Sequence, residues 1–311
     1  VIQLTRKLLL AGVTHRDLAM MKRGGALSSV RRGAYAEELA TDWTSRHRQL
    51  IEGTLPQLRA PAVVSHESAA VLHGLPLITV LPGQRRTGTD LTKVTVSRPR
   101  ARGGGQSSRH LRVHMADVDP RDIVEIGGHR TTSLARTVVD LARQVLPEQG
   151  VALVDAALRA GLERAELERI CADDGPRPGI GRARRVVEFG QAGAESPGES
   201  VVRWLMEVAG FPPPQLQYEV WVRGSLLGRA DFAWPDLGIL GEFDGMTKYG
   251  SLPGGPDAAT AIALEKERER RLIRAGWEIL RWIWADLTEL EFCGVHLDDF
   301  RAARLRNRPQ G

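Results

Sequence analysis

Asp231, Glu242 and Asp244 fall in one stretch, GRADFAWPDLGILGEFDGMTKYG at 228–250, and are the residues best able to do chemistry. The stretch reads as a strand at 229–234, a Pro-Asp turn, and a second strand at 238–244 that ends on glycine. Side chains alternate along a strand, so Glu242 and Asp244 share one face and Phe243 takes the other. Asp231 lies mid-strand in the neighbouring element. Two adjacent strands are therefore expected to bring three carboxylates toward one spot. Like charges crowded in a half-buried sheet are costly unless something cationic sits among them. A hard divalent ion, Mg2+ or Mn2+, resolves that cost with oxygen ligands. The alternative is a carboxylate cluster with a purely structural role.

The elements that must position these acids run helix, strand, strand, strand, helix, strand. Ser196 caps, and Pro197 opens, a helix in SPGESVVRWLMEVAG, with Glu199 in its first turn. A strand with period-2 alternation follows at 217–222, and then the two carboxylate strands. A loop at 250–259 leads to the charged helix AIALEKERERRLIRA at 261–275, and WEILRWIW at 277–284 is the last strand. On that helix Arg268 is placed to hold a phosphate, with Glu265 and Glu269 to orient Lys266 and Arg268. The same charges also fit an exposed face laced with i,i+4 pairs. Phosphodiester hydrolysis needs a nucleophilic water near neutral pH and neutralisation of developing charge. A metal ion does both, with a lysine as an extra electrostatic partner. Trp277, Trp282 and Trp284 read as packing residues.

Charge is uneven along the 311 residues, whose net charge is +5. Residues 1–36 carry Arg6, Lys7, Arg16, Lys22, Arg23, Arg31 and Arg32 against Asp17 alone. A short helix ends at Gly12. Thr14 then caps a helix at 15–22, with Asp17 closing a capping box. Two short strands at 26–30 and 33–36 flank Arg31-Arg32-Gly33. Helix, turn, helix and basic hairpin form a winged helix-turn-helix pattern, which points to DNA through Arg16, Lys22, Arg23, Arg31 and Arg32. The alternative is a small helical cap with solvated arginines. The two cysteines, Cys171 and Cys293, lack partners at metal spacing, which argues against zinc fingers and a disulfide framework and fits a reducing cytoplasm. No run approaches the roughly 20 apolar residues that span a bilayer.

In the middle, Ser65 is expected to cap a helix through Gly74, and strands are expected at 93–97 and 111–114. A hairpin-like pair follows at 122–126 and 128–132, then a helix from 133 to about 144. His66 and His73 read as packing or capping histidines rather than metal ligands, and Arg136 and Asp140 as an intrahelical ion pair. RPRARGGGQSSR at 98–109 reads as a basic loop. Residues 148–192 look helical, broken at Gly161.

VTHRDLAMMKRGGALSSVRRGAYA, VVSHESAAVLHGLPL at 63–77 and HRTTSLARTVVDLAR at 129–143 resemble the AbiEi-like antitoxins of type IV toxin–antitoxin systems, over about residues 1–145. That resemblance implies a winged helix followed by a mixed α/β domain. ESPGES, GRADFAWP, LGILGEFDGMTKYG and EKERERRLIRAGWEILRW, across about 195–287, resemble the PD-(D/E)XK nuclease superfamily, in the branch that looks like very-short-patch-repair endonucleases. It implies that Asp231, Glu242 and the Phe243 carbonyl hold Mg2+, with Glu199 supporting the ion or its water. Where many relatives carry lysine two positions after the glutamate, this chain has Asp244. Lys248 or Lys266 would then supply the positive charge.

The expected architecture is multidomain α+β: a winged helix-turn-helix at 1–36, an AbiEi-like α/β domain at 37–145, a helical connector at 146–194, and a restriction-endonuclease-like αβββαβ core at 195–311. The expected function is DNA binding with metal-dependent endonuclease activity on phosphodiester bonds. The alternative is a non-catalytic, antitoxin-like repressor of a toxin–antitoxin or phage-defence locus. Expected partners are DNA, with RNA as the alternative polymer, and a cognate toxin, with no membrane and a cytoplasmic location.

Overall fold

The computed structural model describes residues 1–58, 60–78, 89–99, 107–245, 258–288 and 292–306. It is a multidomain α+β chain that divides into two compact units. One takes its described residues from 1–145 and 162–184, and the other from 146–161 and 185 onward. The segment expected as one connector thus contributes to both.

In the first unit, β1 (Ile2–Leu4), α1 (Thr5–Leu10), α2 (His15–Arg23), β2 (Ser28–Arg31) and β3 (Ala34–Ala36) form a small module. Its sheet has the order β1-β3-β2, all antiparallel. The Thr14–Asp17 capping box is present, as the sequence predicts: the Thr14 hydroxyl accepts from the Asp17 N–H, and the Asp17 carboxylate accepts from the Thr14 N–H at 2.9 Å. Gly33 turns the β2–β3 hairpin at φ +81°. Strand β1 is an element the sequence reading does not contain.

Then come α3 (Trp43–Thr54), β4 (Val63–Val64), α4 (His66–His73), β5 (Val94–Arg98), β6 (Leu111–Met115), β7 (Ile123–Ile126), β8 (His129–Thr132) and α5 (Leu134–Ala142). The sheet runs β6-β5-β4-β8-β7, with β5–β6 and β4–β8 parallel. The predicted hairpin is β7–β8, turned by Gly127 and Gly128, both at positive φ. Leu50, Ile51, Val71, Val94 and Val96 make a core between α3, α4 and this sheet. Arg136 and Asp140 are paired as expected, and the pair is buried. Ser65 stands at the N-cap of α4 without capping it. Its hydroxyl is engaged by Ser97 and by the His66 ring instead.

Helix α6 (Pro147–Arg159) belongs to the second unit and α7 (Arg164–Asp173) to the first, with Gly161 between them at φ +91°; α8 (Ile180–Phe189) follows. In the second unit, α9 (Pro197–Ala209), β9 (Gln215–Val222), β10 (Ser225–Trp234), β11 (Ile239–Asp244), α10 (Ala258–Arg274) and β12 (Glu278–Ile283) follow in the predicted order. The sheet order is β12-β11-β10-β9. Strands β9, β10 and β11 are antiparallel neighbours, and α10 carries the chain across to β12, parallel to β11. Buried Asp155 of α6 takes two 2.9 Å hydrogen bonds from Arg203 and so ties α6 to α9.

Gly198 sets the height of α9 over this sheet. A Cβ there would lie 1.9 Å from the Phe243 ring, so glycine alone lets the first turn of the helix descend onto β11. Ser196 caps the helix by accepting from the Glu199 N–H. Gly210, at φ +80°, ends it.

Candidate functional site

Asp231 owes its position to an interruption of the β10–β11 ladder. Regular pairing includes Phe232 with Gly241, and Asp231 is not in it. Instead the Phe243 N–H donates to Asp231 Oδ2 at 2.8 Å. A side chain has replaced a backbone acceptor, and the carboxylate is thereby fixed at the C-terminal end of β11.

Because α9 sits low on the sheet, Glu199 reaches the same place. Asp231, Glu199, Phe243, Gln217, Arg229, Glu195 and Trp284 line a cavity of about 390 Å³. Glu199 is buried, and its Oε2 accepts from the Glu195 N–H at 2.8 Å and from Gln217 Nε2 at 2.9 Å. Gln217 holds φ +52°, a strained backbone for a residue other than glycine, and such strain gathers at working sites. Arg229 pairs with Glu195 at 2.7 Å on the rim. The Phe243 ring meets Trp284 edge-on at 5.3 Å and walls one side.

Glu242 does not join this group. It is 6 % exposed, and each of its oxygens is taken by a guanidinium: Arg268 at 2.6 Å and Arg281 at 3.3 Å. Arg281 is its in-register neighbour on β12. Arg268 also pairs with Glu265, and Arg281 with Glu265 and Glu269. These carboxylates push Arg268 and Arg281 above the ordinary arginine pKa despite their partial burial. Glu265 thus holds Arg268 as expected, Arg268 is engaged by Glu242 as well, and Glu269 pairs with Arg281. Half-buried Asp244, two residues from Glu242, acts on Arg281 as well. The expected convergence of Asp231, Glu242 and Asp244 is therefore divided: Asp231 lines the cavity with Phe243, while Glu242 and Asp244 face the arginines. Lys266 is exposed on α10, and Lys248 lies outside the described residues. Arg281 is the important residue the sequence reading missed. Its signal was alternation in WEILRWIW, which sets Arg281 beside Glu242 once β11 and β12 are paired in parallel.

Among the described residues, no group of three or more His, Cys, Asp or Glu side chains is placed to hold a metal ion. Mg2+ does not require one, because it keeps several waters and takes one or two carboxylates. Asp231 and Glu199, which share a cavity, fit that demand. Glu242, neutralised twice, does not.

In the N-terminal module, Arg16, Lys22 and Arg23 are exposed on α2, and Arg32 is exposed in the hairpin. The Lys22 ammonium stands 5.6 Å over the Tyr35 ring, which ties α2 to β3. Arg31 differs from its neighbour. It is half-buried, its Nε has no hydrogen-bond partner among the described residues, and burial lowers its pKa. Among the described residues, no helix is long and apolar enough to cross a membrane. Residues 100–106 of the expected basic loop lie outside the described residues.

No known protein-family profile matches the chain. Two Mycobacterium tuberculosis proteins do: MT2308 of strain CDC 1551 / Oshkosh and Rv2248 of strain ATCC 25618 / H37Rv, both named as uncharacterized. Each is 35% identical over 156 residues, which is 50% of this chain and 55% of the relative. The chain thus spans about half the length of the curated relatives it matches.

Proposed function

We propose that the chain is a DNA-directed protein whose C-terminal unit is a metal-dependent phosphodiesterase of the PD-(D/E)XK type. The observation that carries this is the cavity shared by Asp231 and Glu199 at the end of β11, on an α-β-β-β-α-β frame. Asp231, the Phe243 carbonyl and Glu199 are the residues that would hold Mg2+ or Mn2+. Bound there, the ion would supply an activated water and neutralise charge on the scissile phosphate. Asp231 is held in place by the Phe243 N–H, so its carboxylate needs no reorganisation. Glu199 is fixed by two neutral donors and aims from the helix. Glu242 acts at one remove, by fixing Arg281 and Arg268 and hence the end of β11. Lys248 remains the candidate for a cation near the phosphate.

The N-terminal module supports the DNA part of the proposal. Its order β1-α1-α2-β2-β3, its β1-β3-β2 sheet and the exposed Arg16, Lys22, Arg23 and Arg32 suit a winged helix with α2 in a major groove and Arg32 at the hairpin. Together with the resemblance of residues 1–145 to AbiEi-like antitoxins, this favours DNA as the polymer.

A second function is favoured by a specific observation: the neutralisation of Glu242 leaves one strand carboxylate, not two, at the cavity. That would suit a repressor that retains the nuclease fold without cutting, with a cognate toxin as its partner. A thermal-shift titration separates the two. Mg2+ or Mn2+ raises the melting temperature of the wild type and not of Asp231→Ala if the site binds metal. Equal behaviour of the two proteins removes the metal site and leaves the repressor.

A further inference from the structure

A second cavity, of about 510 Å³, opens in the first unit and has no part in the proposed nuclease chemistry. Its walls come from the two motifs at 63–77 and 129–143, which supply His66, Arg136, Asp140 and Arg143, together with His114 and Arg177. His66 is the first residue of α4, is 5 % exposed, and holds φ +51°, a left-handed conformation that costs energy in any residue but glycine. Its ring stacks on that of His114, with centroids 3.9 Å apart and planes 14° from parallel. His66 Nδ1 is engaged by Ser65 Oγ at 3.0 Å, which leaves its other nitrogen for the cavity. His114 Nε2 is buried without a hydrogen-bond partner among the described residues. Burial keeps both imidazoles neutral near pH 7.

Behind the imidazoles is a charge cluster whose guanidiniums keep donors to spare. Arg136 is saturated by Asp140 and Asp174. Asp174 also receives Arg143 at 3.4 Å and Arg177 at 2.9 Å, and Arg143 reaches Asp140 at 3.5 Å. Three guanidiniums therefore share two carboxylates. Arg143 and Arg177 spend only part of their fork on them, Arg143 donating also to the Pro178 carbonyl. Asp117 adds one acid at the exposed rim. A strained, buried histidine, an unsatisfied imidazole nitrogen and spare guanidinium donors converge on a space of ligand size.

We propose that this cavity binds a small oxyanion-bearing molecule, with a phosphate or carboxylate group, of up to mononucleotide size. Arg143 and Arg177 grip the anion through charge-assisted hydrogen bonds, and His66 and His114 meet the body of the ligand. Packing alone does not account for His66, since a buried residue at positive φ would serve better as glycine or asparagine.

The test is calorimetric titration of the full chain with inorganic phosphate, citrate and AMP, which separates phosphate, carboxylate and nucleotide sources of the anion. Arg177→Gln and His66→Asn serve as variants. Asparagine tolerates the left-handed backbone, and Arg177 is 44% exposed, so both variants should fold, which their melting curves check. Saturable binding of at least one probe is expected, weakened about tenfold in Arg177→Gln and lost in His66→Asn. Failure of all three probes would overturn the proposal. So would equal binding by both folded variants, or displacement of the probes only by duplex DNA, which would make the cavity part of a nucleic-acid surface.

Discussion

Replacing Glu242 with alanine should damage stability more than it damages the cavity. Its carboxylate is 6 % exposed and faces Arg268 and Arg281. Breaking a fully buried ion pair by removing one partner costs about 3–5 kcal/mol, because the other charge is stranded. Here the stranded cations keep Glu265 and Glu269 and are 23% and 33% exposed, so a loss of about 2 kcal/mol is expected. For a unit of this size that corresponds to a fall of roughly 4–8 °C in melting temperature. Glu242→Gln, which keeps the shape and one acceptor, should lose less. Urea unfolding followed by tryptophan fluorescence measures both, since Trp282 and Trp284 lie beside β11. The same samples are titrated with Mn2+, and stabilisation by the ion should persist in both variants. A Glu242→Ala protein that unfolds like the wild type yet no longer responds to Mn2+ would return Glu242 to the metal.

Three further outcomes follow from the geometry. Gly198→Ala should lose about 1–3 kcal/mol in urea unfolding, because its Cβ would lie 1.9 Å from the Phe243 ring; an unchanged midpoint would show that α9 does not ride on β11 as described. Arg32→Ala should reduce the salt slope of DNA binding by about one counterion without changing stability, whereas Arg31→Ala should alter stability first; identical behaviour of the two would contradict their different burial. His66 is pushed by burial from its ordinary 6.5 down to about 4, with Asp140 opposing the shift and His114, Arg136 and Arg143 reinforcing it. As pH falls below 6.5 the unfolded chain takes the proton first. Stability from this group is therefore full above 6.5 and is lost as pH falls to about 4, by about 3 kcal/mol in all. His66→Asn should flatten that part of the pH–stability curve, and an unchanged slope would place the titration elsewhere.

What could be read from the sequence was what depends on local physics. The Thr14–Asp17 capping box, the Ser196-Pro197 helix start and the β7–β8 hairpin follow from short-range hydrogen bonding and turn chemistry, and they stand where the sequence puts them. The order of elements from α9 to β12 was legible for the same reason. Which face each carboxylate takes was not. Period-2 alternation grouped Glu242 with Asp244 correctly, but the Asp231 side chain enters the β10–β11 ladder itself, and no local pattern reports that. Arg281 and Arg268 claim Glu242 only after β12 pairs in parallel with β11 across a helical crossover, a long-range event. His66 was legible as a packing or capping residue but not as strained, because no local sequence pattern reports its positive φ.

Asp231 and Glu199 are proposed to make a working phosphodiester site, with Glu242 supporting it from the other side. The most direct measurement is nicking of supercoiled plasmid by the full chain in Mg2+, Mn2+ or EDTA, with Asp231→Ala, Glu199→Gln and Glu242→Gln beside the wild type. Metal-dependent nicking is expected that is abolished in Asp231→Ala, strongly reduced in Glu199→Gln, and retained in part by folded Glu242→Gln. Nicking that survives Asp231→Ala, or no nicking by the wild type in either metal, would contradict that assignment.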